Sequence, residues 1–233
     1  MTLRAVLFDF QDTLAYYHPA HLSLYVLAAK EHGIEIAEQD FGALDEAWEQ
    51  WRTPLGIDHS AASKDEHSFR ALRVAVHRNR YRSLGVDEAL ADAIAERVGV
   101  LEGEAQYYRL YEDTVPALDR LAAAGVRAGI VSNHVWRLPE VVEALGLRAK
   151  VDAVISSARV GYRKPHPAIY RAALDALGCE AAEVLFVGDN PTADVDGPRA
   201  AGMQALLLDR SAEVSADGVI RSLLDIPLPH RGD

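Results

Sequence analysis

Asp9 is the first residue of the chain whose type and position suggest chemistry. It follows the apolar run Ala5–Phe8, which is typical of a buried parallel strand, and it precedes the polar residues 11–13. In open α/β sheets, ligands bind at the carboxyl ends of the strands. A carboxylate placed there can attack phosphorus or carbon as a nucleophile, or it can ligate Mg²⁺. The alternative is that Asp9 caps a turn.

Other apolar runs later in the chain also end in polar residues. If these runs are parallel strands of one sheet, their polar ends meet at one edge, where carboxylates beside a lysine suit a divalent cation and an oxyanion. Each residue taken alone also has a structural interpretation, as a turn hydroxyl, a surface lysine or a helix cap. The polar residues concerned are Ser132, Asn133, Lys164, Asp189 and Asp194, and Thr13 adds a second hydroxyl close to Asp9.

From residue 111 onward, helical and strand-like patterns alternate. Four helical patterns end at a glycine, as a left-handed helix cap favours, and each is followed by a β-rich run. These repeated steps predict a parallel sheet with right-handed crossovers, which the strand before Asp9 must join. The predicted fold class is α/β, with a parallel Rossmann-like sheet flanked by helices and an inserted all-helical cap domain. The four glycines are Gly125, Gly146, Gly178 and Gly202.

Residues 20–108 carry hardly any strand pattern. Apolar residues recur at helical spacing in the stretches 22–27, 41–51, 69–84 and 89–108, which predicts a helical insertion over the carboxyl edge of the sheet. We expect Trp48 and Trp51 to pack within that insertion. The residues that we expect to face a bound ligand are Tyr16, Tyr17, His18, His21, Arg52 and His134.

The composition narrows the class of protein. Hydrophobic residues make up 49% of the 233 residues, and the formal net charge of −11 comes without any basic run, which argues against a nucleic-acid partner. The single cysteine, Cys179, excludes an intrachain disulfide and fits a reducing compartment. No signal peptide and no apolar run of membrane-spanning length is evident. We therefore expect a cytoplasmic protein with no membrane partner, either a monomer or a homodimer.

The polar clusters resemble the four motifs of the haloacid dehalogenase superfamily. Residues 8–14, Phe-Asp-Phe-Gln-Asp-Thr-Leu, are similar to the first motif, and residues 131–133, Val-Ser-Asn, to the second. Residues 164–170, Lys-Pro-His-Pro-Ala-Ile-Tyr, are similar to the third. Residues 188–203, from Gly188-Asp189 through Asp194 to Met203, resemble the magnesium-dependent fourth motif, which is the most specific of the set. The resemblance covers nearly the whole chain.

This resemblance implies a hydrolase that uses Mg²⁺ and acts on a small phosphorylated metabolite. Asp9 would form an aspartyl-phosphate, with the metal held by Asp9, the backbone carbonyl of Gln11 and Asp189. Residues 1–15 and 111–233 would form the α/β core that carries the active site, and residues 16–110 a helical cap that selects the substrate. The other implied roles are binding of phosphoryl oxygens by Thr13, Ser132 and Asn133, charge neutralisation by Lys164, and support of the metal site and Lys164 by Asp194.

Gln11 departs from the pattern of the family's phosphatases, which carry an aspartate two positions after the nucleophile. An amide cannot donate a proton to the leaving group, and general acid catalysis is worth roughly a hundred- to ten-thousand-fold. The next residue, Asp12, stands where the family usually has glycine. The metal ligands favour phosphatase chemistry, whereas Gln11 predicts slow hydrolysis. The alternatives are a carbon-centred hydrolase similar to the haloacid dehalogenases, which lack the acidic metal ligand, and a nearly inactive binder of phosphorylated ligands.

Overall fold

A computed structural model describes residues 3–40, 42, 58–212 and 216–228 of the chain. Its main element is a parallel sheet of six strands in the order β5-β4-β1-β6-β7-β8, as the alternating pattern predicts. A separate antiparallel ribbon consists of β2 and β3. The strands are β1 (Ala5–Phe8), β2 (Ala15–Tyr17), β3 (Tyr108–Leu110), β4 (Arg127–Ser132), β5 (Ala153–Ser156), β6 (Val184–Gly188), β7 (Gln204–Leu208) and β8 (Val219–Ile220).

Strand β1 occupies the middle of the sheet, where it pairs with β4 on one side and β6 on the other. All four of its side chains are fully buried, and they alternate between two hydrophobic cores. Ala5 and Leu7 face one core, and Val6 and Phe8 face the other. This central position brings the residue after Phe8, the predicted nucleophile, to the middle of the sheet's carboxyl edge.

Helices cover both faces of the sheet. The predicted glycine endings at Gly125, Gly146, Gly178 and Gly202 are confirmed, because all four have positive φ angles, from 57° to 87°. Of the described helices, none has the length and apolar character to cross a bilayer. The α-helices are α1 (His21–Glu31), α2 (Glu66–Ser83), α3 (Glu88–Leu101), α4 (Thr114–Ala123), α5 (Leu138–Ala144), α6 (Ser157–Val160), α7 (Pro167–Leu177) and α8 (Gly197–Ala200), and a π-helical turn spans Pro191–Asp196.

Helices α1, α2 and α3 share a hydrophobic cluster of their own, which includes Tyr25, Tyr81 and Ile94. The helices predicted over 22–27 and 69–84 are confirmed as α1 and α2. The helix predicted over 89–108 was drawn too long, since α3 ends at Leu101 and the chain then forms β3. Strand β3 pairs with β2, so the exit of the helical segment is fixed by contacts distant in sequence. The helix predicted over 41–51, with Trp48 and Trp51, and the candidate Arg52 lie outside the described residues.

One carboxylate connects the loop after β7 and the segment after β8 to the start of α4. Asp113 lies directly before α4 and accepts two hydrogen bonds from the Arg210 guanidinium, at 2.9 and 3.0 Å. It also accepts hydrogen bonds from the hydroxyl of Ser222 and the backbone N–H of Leu223, at 2.8 and 2.9 Å. Arg210 in turn donates to the backbone carbonyl of Thr13 at 2.9 Å. The loop after β7 and the segment after β8 are therefore connected to the loop that follows Asp9.

We predict that Asp113→Ala destabilises the protein by about 2–4 kcal/mol, because it removes charge-assisted hydrogen bonds and leaves Arg210 partly buried without this carboxylate. Asp119→Ala is the matched control: it removes an exposed carboxylate from the same region of α4, paired only with Lys150 in the contacts described, and should cost less than about 1 kcal/mol. Urea unfolding of both variants measures the difference. Equal midpoints would contradict the proposed attachment.

Candidate active site

Lys164 lies between two carboxylates at the carboxyl edge of the sheet. Its Nζ atom is 2.8 Å from Oδ1 of Asp9 and 2.6 Å from Oδ1 of Asp194. All three side chains are buried. Burial alone would lower the pKa of Lys164, but the charges of Asp9 and Asp194 outweigh it and hold that pKa above its usual value. The lysine is therefore a fixed cation next to the predicted nucleophile.

Asp194 is positioned by the π-helical turn after β6. Its Oδ2 atom accepts a hydrogen bond from the backbone N–H of Asn190 at 3.0 Å, and its own backbone N–H donates to the carbonyl of Asn190 at 2.8 Å. Burial raises the pKa of Asp194 to about 6, against the opposing effect of Lys164. These contacts fit the predicted support of Lys164 by Asp194, and that role stays a prediction.

Three carboxylates converge beside the lysine. Oxygen atoms of Asp9, Asp189 and Asp194 all lie within 4.8 Å of one another. Partial burial, together with the charges of Asp9 and Asp194, raises the pKa of Asp189 to about 7. Such an arrangement of oxygen ligands suits a hard divalent cation, which would relieve the repulsion among the carboxylates.

The predicted phosphate ligands lie at or after strand ends along the same edge of the sheet. Thr13 is fully buried, and its Oγ1 lies 3.4 Å from Oδ1 of Asp189. Ser132 is buried at the end of β4. The Asn133 side chain makes two hydrogen bonds that the sequence did not indicate. Its amide group donates to the backbone carbonyl of Lys164 at 3.1 Å, and its carbonyl oxygen accepts from the backbone N–H of Lys164 at 2.7 Å. Asn133 thus fixes the main chain from which the lysine side chain extends.

The loop after Asp9 places Gln11 beside the cluster. Asp12 adopts a φ of 59°, in the left-handed region that favours glycine, so the backbone keeps the form that the family's glycine would give. The Gln11 amide donates to Oδ1 of Asp12 at 3.1 Å. Within the described residues, Gln11 Oε1 is buried and has no hydrogen-bond partner.

A cavity of about 220 Å³ adjoins this loop. Gln11, Asp12 and Asn133 form part of its wall on the sheet side, and helical residues form the opposite side. Three of the expected ligand-facing residues, Tyr17, His21 and His134, line it as well. Tyr16 lines a more open neighbouring cavity, and His18 is exposed. The cationic side chains Arg73 and Arg163 and the imidazole of His59 are also on the cavity wall.

Sequence reasoning missed Arg73 and Glu102. Glu102 is 1% exposed, and Arg73 Nη2 is 2.5 Å from its Oε2. His21 Nε2 and His77 Nε2 contact the same carboxylate at 2.8 and 3.2 Å. One available signal was the position of Glu102 directly after the apolar pair Val100-Leu101, where the helical pattern would place a buried residue.

We predict that Gly188→Ala displaces Asp194, since an added Cβ at Gly188 would lie 2.4 Å from the carboxyl carbon of Asp194. The expected cost is about 1–3 kcal/mol of unfolding free energy. Gly99→Ala, on α3, has no atom within 4 Å of the added Cβ and should be neutral or stabilising by about 0.5–1 kcal/mol. Chemical unfolding of both variants measures these changes. A Gly188→Ala protein as stable as the parent would show that the carboxylate does not need this close approach.

Comparison with known proteins agrees with this geometry. The family model for haloacid dehalogenase-like hydrolase matches residues 3–202. Haloacid dehalogenase-like hydrolase domain-containing protein 3 of Homo sapiens is 29% identical over 89% of this chain and 82% of its own length. Ribulose-1,5-bisphosphate 5-phosphatase of Halopiger xanaduensis is 27% identical over 91% of this chain and 87% of its own.

A solved structure is also similar to this chain. A HAD phosphatase from Thermococcus onnurineus superposes with a TM-score of 0.61 and 26% identity, over 95% of this chain and 94% of the other. The family match spans β1 to α8 and includes all four polar strand ends described above. The chain belongs to the haloacid dehalogenase-like hydrolases.

Proposed function

We propose that this hydrolase is a Mg²⁺-dependent phosphatase that acts on a small phosphorylated metabolite through an aspartyl-phosphate on Asp9. The observation that carries the proposal is the convergence of Asp9, Asp189 and Asp194 within 4.8 Å, with the Lys164 ammonium in contact with two of them. A carbon-centred displacement of halide needs no such group of acids. Several relatives are phosphatases by name, among them the ribulose bisphosphate enzyme described above.

The residues fit a magnesium site by their chemistry. Asp9, Asp189 and the backbone carbonyl of Gln11 would hold the ion through hard oxygen ligands, and Asp194 would support them. When bound, the ion would neutralise charge on the transferring phosphoryl group.

The chain's own side chains would carry out the remaining steps. A carboxylate oxygen of Asp9 attacks phosphorus as the bond from phosphorus to the leaving oxygen breaks. Lys164 stabilises negative charge that grows on the phosphoryl oxygens, and Thr13, Ser132 and Asn133 would orient them. Water then attacks the aspartyl-phosphate, which releases phosphate and restores Asp9.

The cavity beside Gln11 supports different roles for two parts of the chain. We propose that residues 1–15 and 111–233 form the catalytic core and that residues 16–110 form a cap that selects the substrate. The cavity wall is built from both parts, because Asn133 follows a sheet strand whereas His21 and Arg73 belong to helices of the inserted segment. Its small volume suits a compact metabolite rather than a macromolecule.

We predict that Asp189→Asn lowers kcat/KM for 4-nitrophenyl phosphate in saturating Mg²⁺ by at least about a hundredfold, because a neutral amide replaces a charged metal ligand. Asp175→Asn, a change of the same type at an exposed position on α7, should leave kcat/KM unchanged. Phosphate release and circular dichroism of both variants provide the measurement. Full activity of the parent after exhaustive treatment with EDTA would contradict the phosphatase proposal.

The affinity for Mg²⁺ should rise with pH. With a pKa of about 7, Asp189 is mostly protonated below neutral pH in the metal-free protein, and the proton competes with the cation. We expect the dissociation constant for Mg²⁺ to increase by roughly tenfold for each pH unit below 7 and to stay constant above pH 8. Isothermal titration calorimetry at pH 6, 7 and 8 measures this dependence. A constant affinity across that range would contradict the assignment of Asp189 as a ligand.

A further inference from the structure

The proposed phosphatase lacks a proton donor at the position where its family's phosphatases carry one. Gln11 has an amide there, and an amide cannot protonate the oxygen of a poor leaving group at neutral pH. Three imidazoles line the cavity next to Gln11, those of His21, His59 and His134. The Nδ1 atom of His59 lies 2.9 Å from Oγ of Ser63, and burial lowers the pKa of this ring. The choice between His21 and His134 depends on how each ring is held.

His134 is held as a neutral ring. Its side chain is buried, its Nε2 lies 3.1 Å from the hydroxyl of Tyr108, and its ring stands edge-on to Phe10 at 5.4 Å between centroids. Burial lowers the pKa of His134 to about 4. At neutral pH this residue has no proton to donate beyond the one that a neutral imidazole keeps.

His21, the first residue of α1, is held against an anion instead. Its Nε2 is 2.8 Å from Oε1 of the buried Glu102. Its ring is stacked on Tyr17, with centroids 4.5 Å apart and planes at 16°, and it stands edge-on to Tyr25 at 5.4 Å. Two aromatic contacts and one hydrogen bond therefore fix the orientation of the imidazole.

Glu102 is a permanent anion in this environment. Burial would raise the pKa of Glu102, but Arg73, His77 and His21 outweigh burial and bring that pKa well below its usual value. The carboxylate accepts a hydrogen bond from the Nε2–H of His21, so exchange of a proton with a bound ligand falls to Nδ1. This is the logic by which a carboxylate orients a catalytic histidine in hydrolytic triads.

His21 lies on the same cavity wall as the loop that lacks the proton donor. His21 shares the wall of the cavity of about 220 Å³ with Gln11 and Asp12, and the same three residues line the more open neighbouring cavity. The charged and titratable groups around the ring are Tyr17, Tyr25, Asp12 and His134, and Glu102 with Arg73 and His77, which contact the same carboxylate.

We propose that His21 is a catalytic residue that donates the leaving-group proton, with Glu102 as its positioning residue. The proposal rests on the proposed phosphatase function. As Asp9 forms its bond to phosphorus, the leaving oxygen keeps the electron pair of the broken P–O bond and takes the proton from Nδ1 of the His21 imidazolium. The neutral ring then accepts a proton from the water that attacks the aspartyl-phosphate, and the imidazolium is restored.

The first test compares two substrates with different leaving groups. We expect His21→Gln to lower kcat/KM for the alkyl ester glycerol 3-phosphate by about a hundredfold or more, the size of a general acid effect. The value for 4-nitrophenyl phosphate should fall less than about fivefold, because nitrophenolate leaves with little protonation. His67→Gln, an exposed histidine on α2, should change neither value. An alkyl-to-aryl ratio that is the same in His21→Gln and the parent overturns the proposal.

The second test restores a donor at the family's position. Gln11→Asp in the His21→Gln background should raise the alkyl-to-aryl ratio at least tenfold, whereas Gln11→Asp in the parent should raise it much less, because His21 already supplies the proton. Equal gains in the two backgrounds would show that His21 and position 11 do not share one task.

The pH profile tests Glu102 separately. A general acid at His21 makes the parent's kcat/KM for glycerol 3-phosphate fall as the pH rises and the proton donor is lost. In Glu102→Gln this fall should begin at lower pH, because the neutral amide no longer stabilises the imidazolium. An unmoved profile in a folded Glu102→Gln protein contradicts the positioning role. Absence of Mg²⁺-dependent hydrolysis of 4-nitrophenyl phosphate by the parent would instead refute the phosphatase function itself.

Discussion

The ammonium group of Lys164 is buried between two carboxylates, and the rest of the site depends on that contact. A buried cation without partners costs several kcal/mol, so Lys164 requires Asp9 and Asp194 to be anionic and close. The surrounding structure meets this requirement in two ways. Gly188 leaves the space that the Asp194 carboxylate occupies, and Asn133 holds the backbone of Lys164 at both its N–H and its carbonyl group.

The same contact leaves the site with more negative than positive charge. Lys164 compensates only part of the charge of Asp9, Asp189 and Asp194, and desolvation together with this excess charge raises the pKa of Asp189. A divalent cation would bring the sum of these charges to about zero, so that an anionic phosphoryl group would no longer meet a net negative site. Charge balance thus connects the choice of metal with the choice of substrate.

The parallel sheet and its polar edge could be predicted from the sequence because their signals are local. Apolar runs, glycine helix ends and polar strand ends each occupy a few consecutive residues, and Gly125 and Gly202 have the backbone form that the pattern requires. The course of the chain after α3 and the ion cluster around Glu102 could not be predicted in this way. His21 and Arg73 lie 81 and 29 positions from Glu102, so their contacts with that carboxylate become understandable only when the helices are packed together. The β2–β3 pairing is hidden for the same reason.

The pairing of β2 with β3 affects how the segment between these strands can vary in evolution. The chain enters the helical segment after Tyr17, the last residue of β2, and leaves it before Tyr108, the first residue of β3. These two residues pair with each other. The insertion is therefore closed at its base, much as a domain inserted at a loop has neighbouring ends. Its length and content can vary without altering the strand order or the position of Asp9. The fold thus keeps the edge that carries Asp9 constant and offers one place where evolution, or an engineer, can exchange the segment that we propose to select the substrate.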